Sequence, residues 1–261
     1  YTGGTLGMVY DPKGKQLVPF DFEQLLEKVP ELQRLDFQIT FCTLYEPIDS
    51  SNMTPTLWVE LGHTILKNYQ EYDSFVILHG TDTMAYTASA HRFMLDGLNK
   101  PVILTGAQLP IGVARSDARE NFITALEIAA DTDQDGYPRI SEVCIYFNSL
   151  LLRGNRAKKK ESSQFNAFHS ENYPILANAG VFIDYNLPYL APFEPNSSLC
   201  LHTQLETNVG FLKLFPGIPE VLVRTLLLES GLRGVVLETY GAGNAPTASW
   251  FLDLLQSAIS R

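Results

Sequence analysis

The 261-residue sequence is poor in several features on which whole function classes depend. Its 3 cysteines, Cys42, Cys144 and Cys200, are odd in number, widely spaced and without paired metal-ligand spacing. That argues against a disulfide framework or a structural zinc site and suits buried thiols in a reducing compartment. Basic charge is scarce: 19 Lys and Arg face 29 Asp and Glu, a formal net charge of -10. A chain so short of cations is not built to hold nucleic acid nonspecifically. No apolar run reaches the roughly 18 residues of a membrane span, and no secretory leader pattern is visible. Neither a phosphate loop nor a dinucleotide fingerprint occurs, so nucleotide binding gains little support. The 5 histidines stand singly, at 63, 79, 91, 169 and 202. Of these, His79 alone falls near a motif, and a structural role is expected for it. What remains, 45% hydrophobic and 18% charged residues, is ordinary for a globular protein long enough for two domains.

The stretch Ser74-Phe-Val-Ile-Leu-His79-Gly80-Thr81-Asp82-Thr83-Met84 organises the chain. Its apolar, partly β-branched start suits a strand buried on both faces of a parallel sheet, and Gly80 then allows a turn into a helix over 83–95. Ligands of open α/β sheets bind outside the carboxyl ends of the strands, which places chemistry at Thr81 and Asp82. The plainer alternative is that one of these residues merely caps the helix. A second stretch, Tyr1-Thr2-Gly3-Gly4-Thr5-Leu6-Gly7, sets two glycines between two hydroxyls, so that backbone can approach a ligand closely.

Residues 7–19 are polar and turn-rich, a candidate lid with Tyr10 its single tyrosine. Asp21 caps an expected helix ending before Pro30, and a short strand is expected over 37–42. The polar run Asp49-Ser50-Ser51-Asn52 precedes a helix with Thr54 as its cap and Pro55 at its first position, continuing to about residue 69. Strand then helix recur at 101–105, 118–130 and 142–147, which implies a parallel sheet with helices on both faces. The cations Lys158, Lys159 and Lys160 read by themselves as a solvated face. Pro188, Pro192 and Pro195 mark residues 186–204 as a linker. Beyond it, strands over 209–214 and 234–237 and helices over 219–229 and from 246 form a smaller unit. The expected architecture is therefore α/β: a larger N-terminal parallel-sheet domain at 1–185 and a smaller, apparently incomplete C-terminal α/β domain at 205–261.

Together Thr2-Gly3-Gly4-Thr5-Leu6 and His79-Gly80-Thr81-Asp82-Thr83 resemble the paired threonine signatures of the bacterial-type L-asparaginase family. Further matches in the family's order are Asp49 to Thr54, Thr105-Gly-Ala107-Gln108, Arg153-Gly-Asn-Arg156 and Tyr240-Gly-Ala-Gly-Asn244-Ala-Pro246. The last two versions resemble the cytoplasmic type I branch. Family members begin with a short strand before the first motif and continue past the equivalent of Arg261, so the sequence is expected to represent part of a longer chain.

The resemblance implies hydrolysis of L-asparagine to L-aspartate and ammonia through a threonine nucleophile and an acyl-enzyme. It assigns Thr2 as nucleophile, in a setting expected to be exposed between glycines. It gathers Thr81, Asp82 and Lys159 as the second catalytic group, with Tyr10 as the candidate lid residue. It places Asp49, Ser50 and Ser51, with Thr81, Asp82, Ala107 and Asn244, around a small-molecule substrate. No metal and no cofactor are implied, and the working unit would be a homodimer or homotetramer, because the family's second domain completes a neighbour's site. Two other functions stay open: an amidase subunit of a tRNA-dependent amidotransferase, and a noncatalytic amino-acid-binding module.

Overall fold

The computed structural model describes residues 1–11, 16–19, 29–44 and 46–261, the backbone alone at 9–11 and 16–19. The expected helix over 21–28 and the lid tip at 12–15 lie outside the described residues. The chain divides into two compact units, Tyr1–Thr203 and Gln204–Arg261.

In the first unit the chain runs through β1 (Met8–Asp11), β2 (Gln16–Pro19), helix α1 (Pro55–Asn68), β3 (Phe75–Leu78), α2 (Met84–Met94), β4 (Leu95–Asp96) and β5 (Val102–Thr105). It continues through α3 (Ala118–Ala130), β6 (Val143–Phe147), β7 (Leu150–Arg153), β8 (Lys158–Lys159), β9 (Phe168–His169), β10 (Ala177–Ala179), β11 (Ile183–Tyr185) and β12 (Cys200–Leu201). Local chemistry fixes the start of α1. Thr54 accepts the Leu57 amide at 3.4 Å and Pro55 fills the first helical position of α1, where a missing N–H costs nothing. At the other end, the Lys100 ammonium donates to Tyr69 O and Tyr72 O, at 2.6 and 2.7 Å, where unpaired carbonyls gather.

The main sheet has the order β11-β10-β7-β6-β5-β3. Strands β3, β5 and β6 are parallel, as expected from the sequence, but β7, β10 and β11 extend the sheet antiparallel. The sheet is therefore mixed, and the reason is local. Asn148 and Ser149 have φ of 47° and 68° between paired Phe147 and Leu150, a two-residue hairpin turn in which both central residues have positive φ. Alternation along the parallel strands feeds both faces. Val102 and Leu104 pack with Ile65, Met84 and Phe168, whereas Ile103 packs with Ala125 and Ile128 of α3. Helices thus cover both faces, as the continuous apolar runs require.

Three further expectations are corrected here. Of the cysteines, expected to be buried, Cys144 is, but Cys42 and Cys200 are exposed. Residues 37–42 form no named strand; Phe37, Ile39 and Phe41 alternate inward against the cluster around Leu32 and Phe122, which explains the period-two pattern without a ladder. Residues 186–203, expected as a linker, belong to the first unit. Glu142, 1% exposed, accepts from Arg153 Nε at 2.6 Å and from the Ala191 amide at 2.8 Å, while Arg153 Nη2 donates to Tyr189 O at 2.9 Å. Strand β12 also pairs with β4. Proline-rich sequence hides this because its partners are distant side chains rather than neighbouring residues.

In the second unit β13 (Val209–Lys213) pairs parallel with β14 (Gly234–Glu238). Helix α4 (Glu220–Arg224) runs into a wider π turn at Thr225–Glu229 instead of continuing as one α-helix, and α5 (Ser249–Ile259) starts three residues after Pro246. Leu212, Leu214, Val223, Phe251 and Leu254 form its core.

Candidate active site

Four turns of the first unit meet beyond the carboxyl ends of β3 and β5. The first is the glycine pair. Thr2 N–H donates to Leu78 O at 3.0 Å and Gly3 bridges to Ile48, so residues 2 and 3 run beside β3 before the chain reverses at Gly3 and Gly4, with φ of 124° and 94°. A Cβ at Gly4 would lie 2.5 Å from Gly80 Cα and N, so the two signature turns are in backbone contact. Gly4→Ala is expected to cost about 2–4 kcal/mol, combining positive-φ strain with an overlap that backbone cannot relieve. Denaturant unfolding measures it, and a loss below 1 kcal/mol would show that the two turns do not abut as described.

The second turn, Ser50–Asn52, is stacked on the same glycine. Ser50 is buried, its Oγ would be 2.6 Å from a Cβ at Gly80, and its carbonyl accepts from Thr83 Oγ1 at 2.7 Å. Asp49 accepts the Ser51 amide at 2.9 Å, and that bond holds its carboxyl below the usual range and therefore ionised. Ser51 is exposed.

The third turn decides the capping question. Thr83, not Thr81 or Asp82, is the N-cap residue of α2, and it makes no side-chain cap. The side chains of Thr81 and Asp82 instead face Lys159, whose Nζ donates to Thr81 Oγ1 at 2.8 Å and to Asp82 Oδ1 at 2.7 Å. Lys159 is 16% exposed and Asp82 66%, so the ammonium is largely enclosed while the carboxylate keeps an open side. Lys159 is held rigidly: β8 pairs with β9, and Phe168 opposite it packs against Phe147 at 5.0 Å. Lys158 and Lys160 are exposed, as bystanders should be.

The fourth turn follows β5. A Cβ at Gly106 would lie 2.3 Å from His79 O, so this loop rests on the signature turn. Ala107 is buried in it. Gln108 Oε1 accepts from Thr81 Oγ1 at 3.4 Å, and Asp117 accepts the amides of Gln108 and Leu109 at 3.0 to 3.1 Å. Behind the turns, buried His79 contacts Gly80 O through Nδ1 at 2.7 Å and Thr87 Oγ1 through Nε2 at 2.9 Å. Both of its ring nitrogens are engaged by protein groups, in keeping with the structural role expected for it.

Burial lowers the His79 pKa from 6.5 to about 4. The unfolded chain takes up a proton below pH 6.5 and the folded chain does so only near pH 4. The stabilisation linked to neutral His79 is thus complete above pH 6.5 and lost as pH falls to about 4, a difference of about 3 kcal/mol. Denaturant unfolding at stepped pH should show this slope and His79→Gln should flatten it, with the remainder due to buried His91, whose pKa is also lowered by burial. An unchanged slope in the variant would remove His79 as its source.

One expectation fails on geometry. Thr2 is 2% exposed and its hydroxyl donates to Leu78 O at 3.0 Å, so its setting is sealed and not exposed. Thr5, which follows the glycine pair, is half-buried and its hydroxyl has no hydrogen-bond partner among the described residues. The resemblance was read as giving the nucleophile to Thr2, and since Thr2 and Thr5 flank the same glycines, nothing in their local sequence shows which of them is enclosed. Gln108 was visible only as part of a motif, and Asp117 only as a residue leading into a helix. Tyr10 lies in β1 opposite Leu17, and Asn244 is an exposed turn residue of the second unit whose carbonyl accepts the Tyr240 amide.

Comparison with known proteins gives two family matches: "Asparaginase, N-terminal" over residues 1–189 and "Glutaminase/Asparaginase C-terminal domain" over 208–261. The chain is 44% identical over 255 residues to the "60 kDa lysophospholipase" of Mus musculus, covering 97% of this chain and 43% of that one. It is 42% identical over 262 residues to "L-asparaginase 1" of Escherichia coli K12, covering 100% of this chain and 75% of that one. The chain therefore spans less than half of the mouse relative and three quarters of the bacterial one. The crystal structure of L-asparaginase I from Vibrio cholerae matches with a TM-score of 0.89 at 39% identity, over 100% of this chain and 76% of that one.

Proposed function

This chain belongs to the asparaginase family, and from that premise we propose that it is an L-asparaginase, releasing ammonia from L-asparagine to leave L-aspartate. The observation that carries the reading is the Lys159 ammonium, bonded at once to the Thr81 hydroxyl and the Asp82 carboxylate. A site that only bound an amino acid would have no use for a lysine directed at a threonine oxygen.

In this reading the substrate's α-ammonium sits between the carboxylates of Asp49 and Asp82, and its α-carboxylate meets the Ser50 hydroxyl and nearby amides, with Ser51 and Ala107 shaping the wall. The nucleophile of the first turn is Thr5, supported by a hydroxyl without a hydrogen-bond partner among the described residues and by the sealed position of Thr2. Its oxygen bonds to the side-chain amide carbon as its proton passes toward the leaving nitrogen. Turn amides stabilise the oxyanion, and ammonia leaves an acyl-enzyme. Lys159, once deprotonated, draws the proton from Thr81 and through it from a water, which hydrolyses the ester. The geometry behind the proposal is abutment: Thr5 follows Gly4 and Thr81 follows Gly80, the pair of glycines in contact.

Fixing the amino-acid end meters the distance to the nucleophile, so asparagine should exceed glutamine in kcat/KM by about 10- to 200-fold, the value of one methylene in a shaped site. An ammonia-release assay with both amides tests this. Equal values would remove the claim, and a preference for glutamine would favour the amidotransferase-subunit function. We also infer a homodimer or homotetramer acting in the cytoplasm, in keeping with the family and the unpaired cysteines. Among the described residues no helix is long and apolar enough to cross a membrane.

A further inference from the structure

We propose that Gln108 is a positioning residue that sets the resting direction of the Thr81 hydroxyl proton, and so determines which lone pair Thr81 offers to Lys159. The inference rests on the asparaginase reading above and deepens it. The argument is a count of donors and acceptors. A lysine ammonium has three donors and no acceptor, so the 2.8 Å bond from Lys159 Nζ uses a Thr81 lone pair. The single Thr81 hydrogen must then point elsewhere, and its partner is Gln108 Oε1 at 3.4 Å. That bond is long, which leaves the proton held loosely enough to turn toward Lys159 once the lysine has lost its own.

The amide cannot serve this purpose flipped, and the structure supplies the lock. Gln108 Nε2 faces two backbone carbonyls, Ser162 O at 3.2 Å and Gln164 O at 2.9 Å, and only an NH2 group satisfies two acceptors. Its oxygen is thereby committed to Thr81. The other end is equally fixed, because the Gln108 and Leu109 amides are tied to Asp117, which also accepts from Asn121 Nδ2 at 3.2 Å. Asn121 in turn holds Gly106 O at 3.0 Å. Gln108 is therefore a rigid connector between the Thr81 hydroxyl and the chain segment that follows Lys159.

Two variants separate this role from simple support of the loop. Gln108→Met keeps length and removes both polar atoms; kcat should fall about tenfold or more with KM changed less than threefold. In a Thr81→Val background the same substitution should change kcat less than twofold, because the hydroxyl it orients is gone. Gln108→Glu, ionised, presents oxygens to the Ser162 and Gln164 carbonyls; protonated, it again offers one donor to them and one acceptor to Thr81. The ratio of its kcat to that of the wild type should therefore rise several-fold as pH is lowered. Equal losses from Gln108→Met with and without the Thr81 hydroxyl, or a flat Gln108→Glu ratio, would overturn the proposal. A wild type that releases no ammonia from asparagine would instead overturn the asparaginase reading itself.

Discussion

Replacing Thr5 by alanine is expected to abolish covalent capture of a reactive asparagine analogue and to lower turnover by at least about 10⁴-fold, the scale on which a lost nucleophile is felt. The two threonines of the first turn are three residues apart and chemically alike, so the prediction rests on surroundings. The Thr2 hydroxyl is enclosed beside β3 and already donates to Leu78 O, which takes away both its access and its free proton. Thr5 follows the glycine pair and has neither constraint. Thr2→Val should accordingly cost about 1 kcal/mol of stability, the worth of one buried hydrogen bond, and retain the label. Mass spectrometry of the labelled peptide decides the matter. A label on Thr2 or on Thr81 in the wild type would reverse the assignment.

Lys159→Met is expected to reduce kcat by about 10²- to 10⁴-fold, the usual contribution of a positioned acid or base. Thr81→Val should fall in the same range, and the double variant should be little worse than either single one, because groups that act as a unit lose their effect together. Folding should survive: Lys159 is anchored through the β8–β9 pairing and not through its ammonium. Losses that multiply in the double variant would mean that Lys159 and Thr81 act in separate steps. Lys158→Met and Lys160→Met, removing exposed neighbours, provide the baseline for a charge change on this strand.

The parallel strands, their helices and the turns at Gly80 and Gly106 were legible because each depends on residues adjacent in sequence. Apolar runs of four or five, bounded by glycine and followed by a helical period, specify strand, turn and helix almost regardless of the remainder. Helix α3 begins and ends where its sequence pattern does, at Ala118 and Ala130. The antiparallel half of the sheet was missed although Asn148-Ser149 carries the turn chemistry, since a two-residue hairpin inside an α/β alternation looks like a loop between strands. The expected linker failed for a different reason: what holds it is Glu142 and Arg153, 36 to 49 residues away.

At the site, sequence by itself determined which chemical groups are available: two hydroxyl-bearing turns, a carboxylate beside one of them, a lysine, and glycines that let backbones touch. It also determined that these groups stand at strand ends, because local pattern places the strands. Tertiary structure alone decided that Thr2 is sealed while Thr5 is only half-buried, that Thr83 and not Thr81 or Asp82 stands at the helix start, and that Gln108 joins the group of Thr81, Asp82 and Lys159 that the resemblance had implied. The physical reason is range. Strand, turn and helix propensities act over a few residues, whereas burial and hydrogen-bond partnership are set by whatever the fold brings alongside, here Leu78 beside Thr2 and Lys159 beside Thr81, 76 and 78 residues distant.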